Sequence, residues 1–98
     1  MSRDEVIAKL RQHAPALQAK GVLHLALFGS TARNEANANS DIDLAAEYDP
    51  EKRLSLLGIA GIQSDLEDLF GVKVDLCTRK LIKPILRPYI EADIVDAF

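Results

Sequence analysis

Three segments of the chain have the short apolar pattern that predicts β-strands. Residues 22–28 are apolar with almost no polar alternation, which is typical of a strand buried on both faces. Residues 42–48 form the second predicted strand and residues 72–77 the third. In the stretches between these strands, apolar residues recur at helical spacing, so the pattern predicts an α/β fold.

The first helix has clear start and stop signals. Ser2 and Glu5 form a capping-box pattern ahead of apolar residues at helical spacing. Gly21 should end the segment. Pro15 lies inside it, and we expect this proline to break or kink the helix after residue 13 or 14, because it lacks a backbone N–H.

A longer helix is predicted between the second and third strands. Asp49 and Pro50 suit its N-cap and first position, and Gly71 suits its end. Gly58 and Gly61 lie inside this helix at a cost of up to about 1 kcal/mol each relative to alanine. We therefore expect close backbone packing at both glycines, against the sheet.

The last segment is predicted to be helical. Pro84 suits a helix start, Pro88 is awkward inside the helix, and residues 89–98 look helical and partly apolar. Ile94, Val95 and Phe98 then form an exposed-looking apolar tail, which is compatible with a homo-oligomer or a complex with a partner.

Composition and charge narrow the class of protein. The 98 residues predict one domain, residues 1–98, with 48% hydrophobic and 28% charged residues. A net charge of -3 argues against an extended nucleic-acid footprint. One basic strip stands out against this acidic background, and a solvated helix face is the ordinary alternative for it. The strip consists of Arg79, Lys80, Lys83 and Arg87.

Other classes of protein are disfavoured by what the sequence lacks. Cys77 is the only cysteine, which excludes an internal disulfide, and we expect a buried, inert thiol there. With only two histidines, a zinc site is improbable. The charged start is unlike a signal peptide, and no apolar run approaches the roughly 18 residues of a membrane span. We therefore expect a cytoplasmic protein without a membrane partner.

The candidate chemistry lies in three carboxylates. Asp41 and Asp43 occupy alternate positions at the start of the second strand and should share one face of it, roughly 6.6 Å apart along the chain. Two such carboxylates repel unless a cation lies between them, and hard divalent ions such as Mg²⁺ suit them. Asp75 on the third strand would complete a two-metal site for in-line phosphoryl transfer.

A candidate phosphate site follows the first strand. Gly29 lets the backbone approach a phosphate closely, and Ser30 opens a short predicted helix with free N–H groups and a hydroxyl. Arg33 lies one helical turn further on, where its guanidinium could reach the same triphosphate. Each feature is weak alone, but together they predict a nucleotide-dependent transfer site.

The combination resembles the minimal nucleotidyltransferases of the polymerase-beta-like superfamily. The resemblance rests on residues 27–33, 40–44 and 74–76, and extends from about Gly21 to the end. It implies a small mixed sheet of three to four strands flanked by helices, and transfer of a nucleoside monophosphate from ATP-magnesium to a hydroxyl. Asn34 departs from the glycine usual in the family, but asparagine tolerates unusual backbone angles.

The resemblance also assigns roles to the site residues. Gly29 and Ser30 hold the triphosphate, Asp41 and Asp43 bind metal, and Asp75 completes the metal site and draws the proton from the attacking hydroxyl. Members of this size often act as antitoxins that adenylylate a tyrosine of a HEPN-type toxin. By this resemblance the expected partners are such a toxin protein and ATP, with two Mg²⁺ ions.

Two further interpretations stay open from the sequence. The chain could neutralise its partner by binding alone, without catalysis. It could also transfer the nucleotide to a small molecule or an RNA end, although the acidic net charge argues mildly against RNA. We further expect the basic strip and the apolar tail to help bind nucleotide or partner.

Overall fold

The computed structural model describes residues 1–35, 37 and 40–98. They form a four-stranded sheet in the order β3-β2-β1-β4. β2 and β3 run parallel, while β1 is antiparallel to both β2 and β4, so the sheet is mixed. This confirms the predicted α/β fold. The strands are β1 (Val22–Phe28), β2 (Ile42–Tyr48), β3 (Val74–Thr78) and β4 (Val95–Asp96).

The helices are α1 (Arg3–Ala19), α2 (Gly29–Ala32), α3 (Leu56–Phe70) and α4 (Arg87–Asp93). Two of these helices, α1 and α3, cover one face of the sheet and build the core there. α1 lies against β1 and α3 against β3. The face they cover, which we call the core face, carries Leu25, Leu27, Leu44 and Val74, all fully buried. α3 also makes the crossover that two parallel neighbours require.

α1 begins at its predicted capping box but does not break at Pro15. Ser2 Oγ accepts from the Glu5 N–H at 3.2 Å, and the helix continues to Ala19. Leu10 and Leu17, on either side of the proline, are both buried. Their packing on the sheet holds the helix together across the one hydrogen bond that proline removes.

The predicted long helix is two elements. Asp49 caps only a short 3-10 turn, Pro50–Lys52, after which Arg53 adopts a left-handed backbone with φ of 48°. That conformation interrupts the helix. α3 then begins with its own cap, in which Ser55 Oγ accepts from the Gly58 N–H at 3.1 Å, and it ends at Gly71 as predicted.

The glycines inside α3 do not pack against the sheet. A Cβ added at Gly61 would meet no atom within 4 Å. One added at Gly58 would meet only the side chains of Leu54 and Ser55. The expectation of close backbone packing was therefore wrong, because both glycines lie away from the core face.

The C-terminal residues form a strand, contrary to the helix predicted for residues 89–98. α4 ends at Asp93, and β4 then pairs with β1, with Val95 opposite Leu27. The Ala97 N–H donates to the Leu25 carbonyl at 2.8 Å. The edge of β1 needed backbone partners, and the tail supplies them. The three apolar residues predicted to be exposed are instead partly buried: Ile94, Val95 and Phe98.

Smaller differences concern the strands and the proline of α4. Pro88 lies in the first turn of α4, where its missing N–H costs nothing. β1 is buried on both faces only towards its end, since Leu23 and His24 are exposed beside an irregularity in its pairing with β2.

Cys77 is only partly buried, and burial raises the pKa of its thiol. No helix in the described ranges is long and apolar enough to cross a membrane.

Candidate functional site

The register of the sheet brings two of the predicted carboxylates side by side. Asp43 of β2 is paired with Asp75 of β3 on one side and with Phe28, the last residue of β1, on the other. Because paired residues on neighbouring strands point to the same face, both carboxylates lie on the face opposite the core. We call it the carboxylate face and define it by Asp43, Glu47 and Asp75.

Gly29 sits directly beneath the carboxylate of Asp43. Its φ is 74°, a left-handed conformation that suits glycine. A Cβ built at this position would overlap Oδ2 of Asp43. Glycine is therefore required here for two separate reasons, the backbone angle and the closeness of a functional side chain. The Gly-Ser turn and the carboxylates belong to one site.

The electrostatics of this site centre on Asp43. Partial burial raises the pKa of the Asp43 carboxyl, and the negative charges of Asp75 and Asp41 raise it further. The positive charge of Arg33 works in the opposite direction. The negative charges of Asp41 and Asp75 therefore act on Asp43, and Arg33 offsets this repulsion only in part, since the pKa of Asp43 is still raised.

Asp41 and Asp75 are more exposed than Asp43. Asp41 precedes β2 on the surface, and Asp75 Oδ1 lies 3.8 Å from Lys73 Nζ. Across the described ranges, no three His, Cys, Asp or Glu side chains converge tightly enough to enclose a metal ion. The donor set still fits a hard divalent cation, because Asp43 and Asp75 offer only oxygen and their mutual repulsion is what a cation would relieve.

Arg33 is paired with two carboxylates, one in α4 and one just after α2. Its Nη1 lies 2.8 Å from Oδ2 of Asp93 in α4, and its Nε donates to Oε2 of Glu35 at 3.1 Å. The hydrogen bond to Asp93, followed by that to Glu35, raises the pKa of the guanidinium. Arg33 therefore ties α4 to the Gly-Ser turn. Ser30 stands beside Gly29 in α2, partly exposed.

Asn34 has the unusual backbone angle that the sequence allowed for. Its φ is 61°, and its Oδ1 accepts from the Arg3 N–H at 3.2 Å. The turn after α2 is thus attached to the start of α1, which asparagine achieves and glycine could not.

Comparison with known proteins identifies the family. A family model described as nucleotidyltransferase domain matches residues 8–98. The chain belongs to this family. It is a nucleotidyltransferase, and the resemblance found in its sequence is confirmed.

Individual relatives agree with this assignment. A candidate protein adenylyltransferase from Methanocaldococcus jannaschii is 39% identical over 93 residues, which are 93% of each chain. The structure of a candidate minimal nucleotidyltransferase has a TM-score of 0.76 at 31% identity, covering 97% of this chain and 95% of the other. A toxin-antitoxin structure with AMP-PNP shares the fold, with a TM-score of 0.68 at 20% identity, and covers 100% of this chain and 73% of the other.

The basic strip of this nucleotidyltransferase is only partly available for ligands. Arg79 Nη1 lies 3.1 Å from Asp96 Oδ1 and 3.7 Å from Glu47 Oε1, so it bridges β2 and β4. Arg87 Nη2 donates to the Ile82 carbonyl at 3.2 Å. Lys80 and Lys83 are exposed. Half of the strip therefore stabilises the fold.

Sequence reasoning missed two features beside the site. The first is a set of exposed apolar residues that lie among the basic residues of the strip. The alternation of apolar and basic residues in this segment could have indicated it. Its members are Leu81, Ile85, Leu86 and Tyr89. The second is Asp93, the partner of Arg33, and no local signal pointed to it because the two residues lie far apart in the chain.

Proposed function

We propose that this nucleotidyltransferase transfers AMP from ATP to a hydroxyl of a partner protein, most specifically a tyrosine of a HEPN-type toxin. The chain would then be the antitoxin of a toxin-antitoxin pair. The observation that carries the proposal is the pairing of Asp43 with Asp75 directly over Gly29. The relative named for protein adenylylation supports a protein as the acceptor, and the toxin-antitoxin structure with AMP-PNP supports a toxin as that protein.

The residues have the following roles in this proposal. Asp41, Asp43 and Asp75 would hold two Mg²⁺ ions, which would offset the negative charge that develops on the triphosphate during transfer. Gly29 and Ser30 hold the triphosphate. Arg33 adds positive charge near Asp43 while its guanidinium stays paired with Asp93.

The transfer itself is an in-line displacement. The tyrosine oxygen attacks the α-phosphorus, and the bond from that phosphorus to the bridging oxygen of the β-phosphate breaks. Pyrophosphate leaves, and Asp75 accepts the tyrosine proton. Asp75 suits this role because it is exposed to an incoming acceptor while its neighbour Asp43 is partly buried.

The surface beside the site favours a protein acceptor. Leu81 and Ile85 are 79% and 77% exposed, and Lys80 and Lys83 are exposed next to them. Exposed apolar side chains grouped on one surface are typical of a protein interface, whereas the net charge of -3 offers little for an RNA backbone. The partner toxin would dock on this surface and form a hetero-oligomer with the chain.

The test is intact mass spectrometry of the protein encoded beside this chain, after incubation with the chain, ATP and Mg²⁺. We expect the partner to gain one or more adenylate masses. ATP labelled in its α-phosphate should label the partner, and ATP labelled in its γ-phosphate should not. Tandem mass spectrometry should place the group on a tyrosine.

The control separates catalysis from binding. The Asp41→Asn, Asp43→Asn double variant should lose transfer but still bind the partner, whereas Asp68→Asn on the exposed side of α3 should keep both. A stable complex without any mass gain would leave neutralisation by binding as the function. Labelling of RNA or a small molecule in place of the partner would reassign the acceptor.

A further inference from the structure

A cleft adjoins the Gly-Ser turn on the side away from β3. It has a volume of about 680 Å³ and lies between the end of β1 and α4. Phe28, Gly29 and Arg33 line one wall, and Tyr89 and Asp93 stand in the other. Because Gly29 also lies beneath the Asp43 carboxylate, the cleft opens directly beside the proposed site of transfer.

The walls of this cleft suit a planar aromatic ligand with polar edges. The Tyr89 residue is 75% exposed, so its ring is not committed to the core. Phe28 is only partly buried and faces the cleft from β1. The 2.8 Å pair between Arg33 and Asp93 places hydrogen-bonding groups at the same cleft. Nucleic-acid bases commonly stack on exposed aromatic side chains of this kind.

We propose that this cleft binds the nucleoside of the nucleotide substrate, with Tyr89 as the stacking surface for the base. The inference rests on the proposed function, which places the triphosphate at Gly29 and Ser30. The volume is in the range of small-molecule sites and has room for a whole base and ribose. A single acceptor side chain would fill only a small part of it.

Arg33 acts in this arrangement as a positioning residue. Its hydrogen bond to Asp93 fixes α4, and with it Tyr89, relative to the phosphate turn. The cleft is therefore assembled from two segments far apart in sequence, joined by one ion pair. This explains why Arg33 points to α4 even though it lies one turn after Gly29.

The test is calorimetric binding of two Mg²⁺-loaded probes, ATP and inorganic tripolyphosphate, to the full chain. Tyr89→Ala should weaken ATP binding about tenfold, from the loss of one stacking contact, and leave tripolyphosphate binding unchanged. Tyr89→Phe should restore ATP affinity. Leu57→Ala, on the exposed side of α3 and outside the cleft, is the matched control and should change neither.

The outcomes separate the inference from the function on which it rests. If Tyr89→Ala binds ATP within twofold of the unaltered chain, or loses both probes equally, the nucleoside does not stack on Tyr89. Unchanged ATP affinity with lost transfer to the partner would assign the cleft to the acceptor and also overturn the inference. If the unaltered chain binds neither probe, the proposed function fails as well.

Discussion

The two faces of the sheet differ in what their residues contribute. On the core face, Leu25, Leu27 and Leu44 are completely buried beneath helices, and no charge lies among them. On the carboxylate face, Asp43 is partly buried beside Asp75, with a glycine pressed beneath its carboxylate. One strand, β2, serves both faces through alternate residues.

This difference separates stability from function within a single strand. Burial of the leucines supplies the hydrophobic free energy that holds the sheet to α1 and α3. The Asp43 carboxylate opposes folding, because it is partly desolvated and lies close to the negative charges of Asp75 and Asp41. An arrangement that weakens the protein alone but suits a divalent cation is typical of a functional site.

The largest effect is expected on the core face. Leu44→Ala should lower the free energy of unfolding by about 2–5 kcal/mol, because it leaves a cavity in a fully buried position. Leu57→Ala is the control, since Leu57 is 85% exposed, and it should change stability by about 0.5 kcal/mol or less. Urea unfolding followed by circular dichroism measures both. An equal loss of stability in both variants would mean that burial on the core face is not the main source of stability.

An intermediate effect is expected where the carboxylate face meets the Gly-Ser turn. Gly29→Ala should cost about 2–4 kcal/mol, from a left-handed alanine and from its overlap with Asp43. Gly71→Ala is the matched control, because its φ is 70° but an added Cβ would meet nothing within 4 Å. It should cost only about 1–2 kcal/mol.

A double-mutant cycle isolates the overlap. In an Asp43→Ala background, Gly29→Ala should cost no more than Gly71→Ala, since the overlapping carboxylate is gone. Chemical unfolding of the four proteins gives the coupling energy. A coupling near zero would show that Gly29 is required only for its backbone angle.

The smallest effect should have the opposite sign. Asp43→Asn should raise the free energy of unfolding by about 0.5–2 kcal/mol at neutral pH without metal. A carboxyl whose pKa is raised by folding is destabilising when ionised, so removing the charge is favourable, and the gain should vanish as pH falls and Asp43 becomes protonated. Thermal unfolding across pH measures it. Exposed Asp68→Asn should show no such gain.

Added Mg²⁺ gives a further test of the difference between Asp43 and an exposed aspartate such as Asp68. Added Mg²⁺ should raise the melting temperature of the unaltered chain and of Asp68→Asn, because ligand binding to the folded state stabilises it. It should raise that of Asp43→Asn much less. A similar Mg²⁺ effect on all three proteins would place the cation elsewhere.

The sequence by itself determined the parts that depend on local pattern. β1 and β2 have the predicted bounds, the capping box starts α1, and Gly71 ends α3. The candidate site followed from its residue types, because a glycine turn and paired aspartates have few other uses in this order. The family was therefore recognisable before any geometry was known.

The tertiary structure alone decided what depends on partners distant in sequence. α1 continues past Pro15 because it packs against the sheet. The apolar tail forms β4 because it pairs with the open edge of β1. Likewise, Arg33 pairs with Asp93 because α4 lies beside the Gly-Ser turn in the folded chain. Local helix propensities differ by about 1 kcal/mol for most residues and by about 3 kcal/mol for proline, so the summed contribution of buried leucines, edge hydrogen bonds and long-range ion pairs outweighs them. Such contacts exist only once the chain has folded.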